Sequence, residues 1–376
     1  MSAPCGFSIS SLLRGKTMWT VTTITQERIR KLVGDESPGF AFAACCSALT
    51  PIHRFRQREL VLVARSVTAA DCADVLVVAI TPRLEDGRVD LEGTRNNVRF
   101  LVDRGAKFLM PMCGTGLVYD ATLEEFEQVT AAFVEAASDQ ALVVPGIGPG
   151  YGRSLEMADL ARSLGVTGAM IMPIVGPASA AGVKDGLKRI ADVCGLPIIL
   201  YQRRLDIMPV EHVIELCRHE AVVGLKYAVD DLQAFTRIAA AAGSEAAMVC
   251  GMAEDPCLDY LRAGAVGFSS GMANFVPRMS LSILEAYQKG NEEEAERLRV
   301  MMVPFEDFRA ENGARYSASL LHAAMDYAGL VGGPVVPFAE DVAAADLPRV
   351  HEMMDALLAE EGLLSAPMAT TAGGVA

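Results

Sequence analysis

The 376-residue chain has few lysines, a single tryptophan and no long apolar run. Its 33 basic residues divide into seven lysines and 26 arginines and face 47 acidic residues, for a formal charge of −14. With that balance, and no basic run or aromatic-interleaved patch, nucleic acid is not an expected partner. The nine cysteines (5, 45, 46, 72, 113, 194, 217, 250, 257) form no CxxC pair, and several sit in apolar runs. They read as buried free thiols of a reducing compartment rather than as disulfides or a zinc site. His212 and His219 stand seven apart with no HExxH pattern, so no metal is expected. The glycines of 146–150 meet Tyr151 where GxGxxG would need another glycine, which argues against a dinucleotide loop. No apolar stretch reaches the roughly 18 residues that span a bilayer, and no signal-peptide core stands at the N-terminus. A soluble, cytoplasmic protein with no membrane contact is the expectation.

What the chain does have is apolar material, 51% of it against 21% charged residues, enough for a large core. From Asp74 onward, eight short β-rich runs alternate with amphipathic stretches. The runs are Val75 to Ile80, Phe108 to Cys113, Ala141 to Pro145, Gly168 to Met172, Pro197 to Tyr201, Ala221 to Lys226, Ala246 to Cys250 and Ala265 to Ser269. Helical stretches between them include Asp90 to Asp103, Thr122 to Ala137, Leu155 to Leu164 and Pro209 to Arg218. Thr122 with Glu125 makes a capping box, and Gly105, Gly165, Gly195, Gly243 and Gly264 stand where helix C-caps belong. Eight such units in about 210 residues predict an α/β fold, a (β/α)8 TIM barrel whose site lies at the strand C-terminal ends. A doubly wound sheet is the competing architecture.

Ala48-Leu49-Thr50-Pro51 nearly repeats Ala79-Ile80-Thr81-Pro82, and the second copy is the better end for the first strand because Asp86-Gly87 supplies a turn before the helix. The organisation expected is an N-terminal extension over 1–73, the barrel over 74–290, C-terminal helices over 291–363 and a disordered tail over 364–376. The extension holds a helical pattern at Thr25 to Val33, an apolar run at Phe40 to Leu49 and a basic stretch at His53 to Arg65. The C-terminal helical patterns run Asn291 to Ala310, Arg315 to Ala328 and Asp346 to Leu358.

In a barrel, the polar residues at strand ends are the candidates: Thr81, Gly114 with Thr115, Tyr201, Lys226, Gly251, and Ser269 with Ser270. Lys226 ends an otherwise apolar strand. A partly desolvated amine meets the requirement for attack on a carbonyl, which is Schiff-base chemistry. The competing reading is a lysine that reaches solvent or pairs with Asp230 or Asp231. Tyr201 ends the preceding strand at the same face, where a phenol can move protons. The Gly114, Thr115, Gly116 loop offers backbone N–H groups and a hydroxyl to a carboxylate, or is an ordinary βα turn. Arg203 and Arg204 follow Tyr201; one of them at most is expected to face the site and grip an acid.

These residues lie in segments that together resemble the dihydrodipicolinate synthase and N-acetylneuraminate lyase family. The segments are AITPRLEDGRVD (79–90), MCGTGLVYDATLEEF (112–126), LPIILYQRR (196–204), VVGLKYAVDDL (222–232) and AGAVGFSSGMANFVPRM (263–279). The resemblance implies that Lys226 forms the Schiff base with a 2-oxo acid, that Tyr201 shuttles protons and that Gly114 to Gly116 hold the substrate carboxylate. Arg203 and Ser269 complete the expected substrate contacts. Gly114 in place of the family's first threonine and the shortened YQRRLDIMP loop point to the 5-dehydro-4-deoxyglucarate dehydratase-like branch, whereas Leu117 departs from the family's usual glutamate. Val175 stands where dihydrodipicolinate synthase has a second tyrosine. The expected function is a Schiff-base lyase, aldolase or dehydratase, acting on a small 2-oxo acid or 2-oxo sugar acid, with no cofactor. A homo-oligomer, tetramer or dimer, is implied by the resemblance. The alternative is a catalytically altered barrel serving as a ligand-binding or scaffold protein.

Overall fold

Short, wholly buried strands are what a parallel sheet covered on both faces requires, and Val75–Val78 is one: all four side chains are buried. A computed structural model describes residues 65–364. The readings at 25–33, 40–49 and 53–64 and for the tail beyond 364 lie outside the described residues.

The strands are β1 (Val75–Val78), β2 (Phe108–Met110), β3 (Leu142–Val143), β4 (Gly146–Ile147), β5 (Ala169–Ile171), β6 (Ile198–Gln202), β7 (Val222–Tyr227), β8 (Ala247–Cys250) and β9 (Gly267–Ser270), all in one sheet. Every ladder in the sheet is parallel, and β1 pairs with β9 through Val75 and Phe268. The β3 and β4 segments are two halves of one barrel strand. On one side Val144 and Gly146 donate to Leu109 and Pro111, and on the other Thr167, Met170 and Met172 donate to Val143, Pro145 and Ile147. Pro145 has no N–H to donate toward β5, so the ladder breaks there without the strand leaving the ring. Nine segments therefore fill eight positions of a closed TIM barrel.

The helices are α1 (Leu91–Asp103), α2 (Leu123–Ala137), α3 (Tyr151–Ser163), α4 (Ala180–Val193), α5 (Val210–Cys217), α6 (Leu232–Ala242), α7 (Cys257–Arg262) and α8 (Pro277–Gln288). Asp90 caps α1 by accepting from Gly93 N at 2.8 Å, and Thr122 and Glu125 form the reciprocal box expected at α2. Gly105, Gly165, Gly195 and Gly264 take the left-handed conformation their cap positions require. Gly243 differs: it closes α6 with φ −68, still helical.

Beyond the barrel lie α9 (Glu292–Ala314), α10 (Ser319–Tyr327) and α11 (Leu347–Leu363). The backbone of α9 leaves helical geometry at Glu311, Asn312 and Gly313, so its regular part ends where the sequence pattern ends, at Ala310. The side-chain oxygens of Glu361 on α11 accept from the backbone N–H groups of Arg278 and Met279 in the first turn of α8. These two hydrogen bonds tie the appendage to the barrel wall. The six described cysteines are buried and free, and no described helix is long and apolar enough to cross a membrane.

Candidate active site

Register brings Tyr201 and Lys226 together. They are direct partners in the β6–β7 ladder, so their side chains leave the sheet on the same face at adjacent strand ends. Lys226 is 5% exposed and Tyr201 8%, and the amine Nζ stands 4.4 Å from the centre of the phenol ring, within cation–π range. Asp231 caps α6 instead of pairing with the lysine, its carboxylate accepting from Ala234 N at 2.8 Å. Among the described residues no carboxylate forms an ion pair with Lys226.

Both groups open into a cavity of about 460 Å³ over the strand C-terminal ends. Gly114, Thr115, Arg203, Gly251 and Ser269 share it, as do Leu117 and Tyr119. Gly116 does not line it. Its carbonyl accepts the Thr81 hydroxyl at 2.9 Å, and a Cβ there would press on Ala79 O at 3.0 Å, so the close packing of the loop favours glycine. Gly114 has open space where a Cβ would go, so the missing threonine is a chemical difference and not a steric one. Of the arginine pair, Arg203 lines the cavity while Arg204 turns to Asp206, donating from Nε at 3.0 Å. The buried Gln202 holds this loop by donating to Met208 O at 2.6 Å.

Ser269 and Ser270 part company as neighbours on a strand must. Ser269 lines the cavity, whereas Ser270 donates to the buried Glu254 at 2.5 Å. Cys113 and Cys250 flank the amine. Burial pushes both thiols up to about 12 against the pull of the Lys226 charge, which keeps them protonated and unreactive. Among the described residues no three His, Cys, Asp or Glu side chains gather as a metal-holding group.

Several contributors are invisible in the sequence pattern. Tyr119 lines the cavity from the turn after β2, and burial raises its phenol above the ordinary range, the charge of Tyr201 adding to this and Arg203 opposing it. Asn274 clamps the end of β1, donating to Val78 O at 2.9 Å while accepting from Ile80 N. Glu306, Arg309 and Arg315 enter the cavity wall from α9 and its continuation. Val175 is elsewhere: it is 69% exposed and lines a separate, apolar cavity of about 500 Å³ with Tyr151 and Leu187.

The sequence profile of the dihydrodipicolinate synthetase family matches residues 71–356, the whole barrel and most of the appendage. The chain belongs to this family. Among curated relatives, a probable 5-dehydro-4-deoxyglucarate dehydratase 1 of Streptomyces coelicolor is 31% identical over 76% of this chain and 94% of its own length. The probable 5-dehydro-4-deoxyglucarate dehydratase of Bacillus subtilis is 29% identical over 69% of this chain and 85% of its own. Among solved structures, dihydrodipicolinate synthase from Bacillus clausii superposes with a TM-score of 0.74 at 28% identity, covering 76% of this chain and 98% of that one. The chain is thus a Schiff-base lyase of the dihydrodipicolinate synthetase family, as its sequence led us to expect, and nothing in these likenesses favours a scaffold role.

Proposed function

We propose that this protein removes water from a 2-oxo sugar acid that carries a hydroxyl two carbons beyond its ketone, through an imine on Lys226. One observation carries the reading: a buried lysine and a buried tyrosine are ladder partners, with the amine 4.4 Å from the ring, at the floor of one cavity. The substrate class follows the relatives' name. In 5-dehydro-4-deoxyglucarate the ketone adjoins a terminal carboxylate, the next carbon is a methylene and the one after bears a hydroxyl.

In this reading Lys226 attacks the ketone, and Tyr201 moves protons as the carbinolamine loses water to become the imine. The protonated imine draws electrons and so stabilises the carbanion left when the methylene loses a proton. Thr115 and the backbone around Gly114 hold the carboxylate beside the ketone, with Gly116 shaping the loop. Arg203 offers a bidentate grip to the distal acid group and Ser269 a hydroxyl to the sugar chain. This imine chemistry draws on no metal or organic cofactor.

We also propose a cytoplasmic location, a homo-oligomer of two or four chains, and the division into an extension (1–73), barrel (74–290), helical appendage (291–363) and tail (364–376). Incubation with 5-dehydro-4-deoxyglucarate and with related 4-hydroxy-2-oxo sugar acids, following substrate loss, tests the activity. Turnover that Lys226→Ala abolishes is expected. Release of pyruvate would mark an aldolase instead, and no turnover of any member would refute the reading.

A further inference from the structure

Removing water from such an imine requires two proton movements that the barrel's strand ends do not both supply. One proton must leave the methylene, C3, and one must reach the departing C4 hydroxyl. The cavity has one carboxylate among its described lining residues, Glu306, and it comes from α9 in the C-terminal appendage rather than from the barrel.

This carboxylate is held in place. Arg309 donates from Nη1 to both of its oxygens, at 2.8 and 2.9 Å, and each side chain of the pair is 13% exposed. Arg309 is anchored in turn by donating from Nε and Nη2 to Ser317 O at 3.1 and 2.9 Å. Gly271, just past β9, leaves the room: a Cβ there would stand 3.2 Å from Arg309 Nη1. Behind the pair lies Glu254, fully buried, with one oxygen accepting from Ser270 and Ser280 at 2.5 and 2.6 Å. Its other oxygen has no partner among the described residues. Burial first, and the Glu306 charge second, push the Glu254 carboxyl up to about 7. Arg309 grips Glu306 and not Glu254, so of the two neighbouring carboxyls it is Glu306 that has an arginine partner. Glu306 therefore faces the cavity with both carboxyl oxygens held by Arg309.

We propose that Glu306 is the acid–base residue of the elimination, and that Arg309 positions it. The assignment rests on the Schiff-base reading given above. The carboxylate takes the C3 proton of the Lys226 iminium; the C–H pair becomes the C2–C3 double bond, and the C–N double-bond pair moves to nitrogen. The nitrogen pair then returns, C3 and C4 become doubly bonded, and the C4–O pair leaves with the oxygen. That oxygen takes the same proton back from Glu306 and departs as water. The carboxylate is regenerated, and one group performs both strokes.

Pyruvate isolates the first stroke, because enzyme-catalysed exchange of its C3 hydrogens, taken above the enzyme-free rate, runs through the enamine. The test is exchange into D2O followed by NMR, beside borohydride trapping of pyruvate on Lys226, in the wild type, Glu306→Gln and Glu306→Asp. Both variants are expected to trap pyruvate as the wild type does. Exchange is expected to fall about 100-fold or more in Glu306→Gln, the usual reach of general acid–base catalysis, and clearly but less in Glu306→Asp, which keeps the Arg309 pair and withdraws the carboxylate. Wild-type exchange rates with trapping intact in either variant would overturn the assignment. Should Glu306→Gln fail to fold, as a thermal melt would reveal, Glu306→Asp decides alone. Absence of trapping in the wild type would remove the Schiff-base reading and this assignment together.

Discussion

Replacing Tyr201 by phenylalanine separates two roles that the geometry combines. The ring packs against Lys226 Nζ at 4.4 Å, with Arg203 Cζ at 6.0 Å from the same ring, and Tyr201→Phe keeps both contacts. Among the described residues no hydrogen bond engages the phenol oxygen, so its removal leaves no buried partner unsatisfied. The stability change should stay within about 0.5 kcal/mol. Tyr201→Ala, which empties the site of the ring, should instead destabilise by about 3–5 kcal/mol. If the phenol moves protons during imine formation, its loss should slow that step by about 100- to 10,000-fold, or about 3–5 kcal/mol of barrier. The assay is quench-flow trapping, in which pyruvate is mixed with enzyme and borohydride is added after timed delays. The phenylalanine variant should reach the wild-type extent of Lys226 labelling, but slowly. Labelling within threefold of the wild-type rate would refute a proton-transfer role and leave Tyr201 as a platform for the ammonium.

Other substitutions probe the frame around the site. Glu125→Gln keeps a capping side chain but removes the charge facing Arg83, whose Nη1 lies 2.5 Å from Glu125 and which is 7% exposed; about 1–3 kcal/mol should be lost in urea melts. Burial opposes ionisation of Glu125, yet Arg83 and the Thr122 N–H together hold its carboxyl below the ordinary range. The wild-type advantage over Glu125→Gln should therefore be full above about pH 4.3 and vanish as pH falls further, and an advantage that persists in acid would contradict this. Glu361 behaves oppositely: burial raises its carboxyl to about 7 despite the two backbone donors. Its favourable share is complete below about pH 4.3 and is lost as pH rises through 7, so the wild type should lose up to ~3 kcal/mol relative to Glu361→Gln between pH 4 and 8. Parallel stability curves would exclude it. Gly116→Ala should destabilise by about 1–3 kcal/mol, because its Cβ would press on Ala79 O and Met112 N, while Gly114→Ala should fall within about 0.5 kcal/mol; equal effects in thermal melts would refute the contrast.

The barrel was legible because each unit repeats one local rule. Continuous apolar runs such as Ile198 to Tyr201 bury on both faces, and caps at Asp90 and Thr122 start helices where the apolar period changes. The pairing of Tyr201 with Lys226 followed from that rhythm, since equivalent positions on adjacent parallel strands share a face. What local rules do not encode is what arrives from far along the chain. Glu306 sits on a helix whose pattern looks like any solvated, acidic surface helix, and only its docking beside Gly271 turns one face of it into the cavity wall. The division of labour between Arg203 and Arg204 was likewise open until Gln202 and Asp206 fixed the loop. Gly116 looked like a carboxylate cradle in the sequence, yet close backbone contacts give it a packing role outside the cavity.

The central claim is that Lys226 is the amine that carries the substrate. Incubation with pyruvate and borohydride, followed by peptide mass mapping, tests it most directly. The account predicts a single reduced adduct on Lys226, formed in the wild type and absent from Lys226→Ala, with Lys107, Lys184, Lys188 and Lys289 unmodified. An unmodified Lys226, or labelling spread over the other lysines, would contradict it.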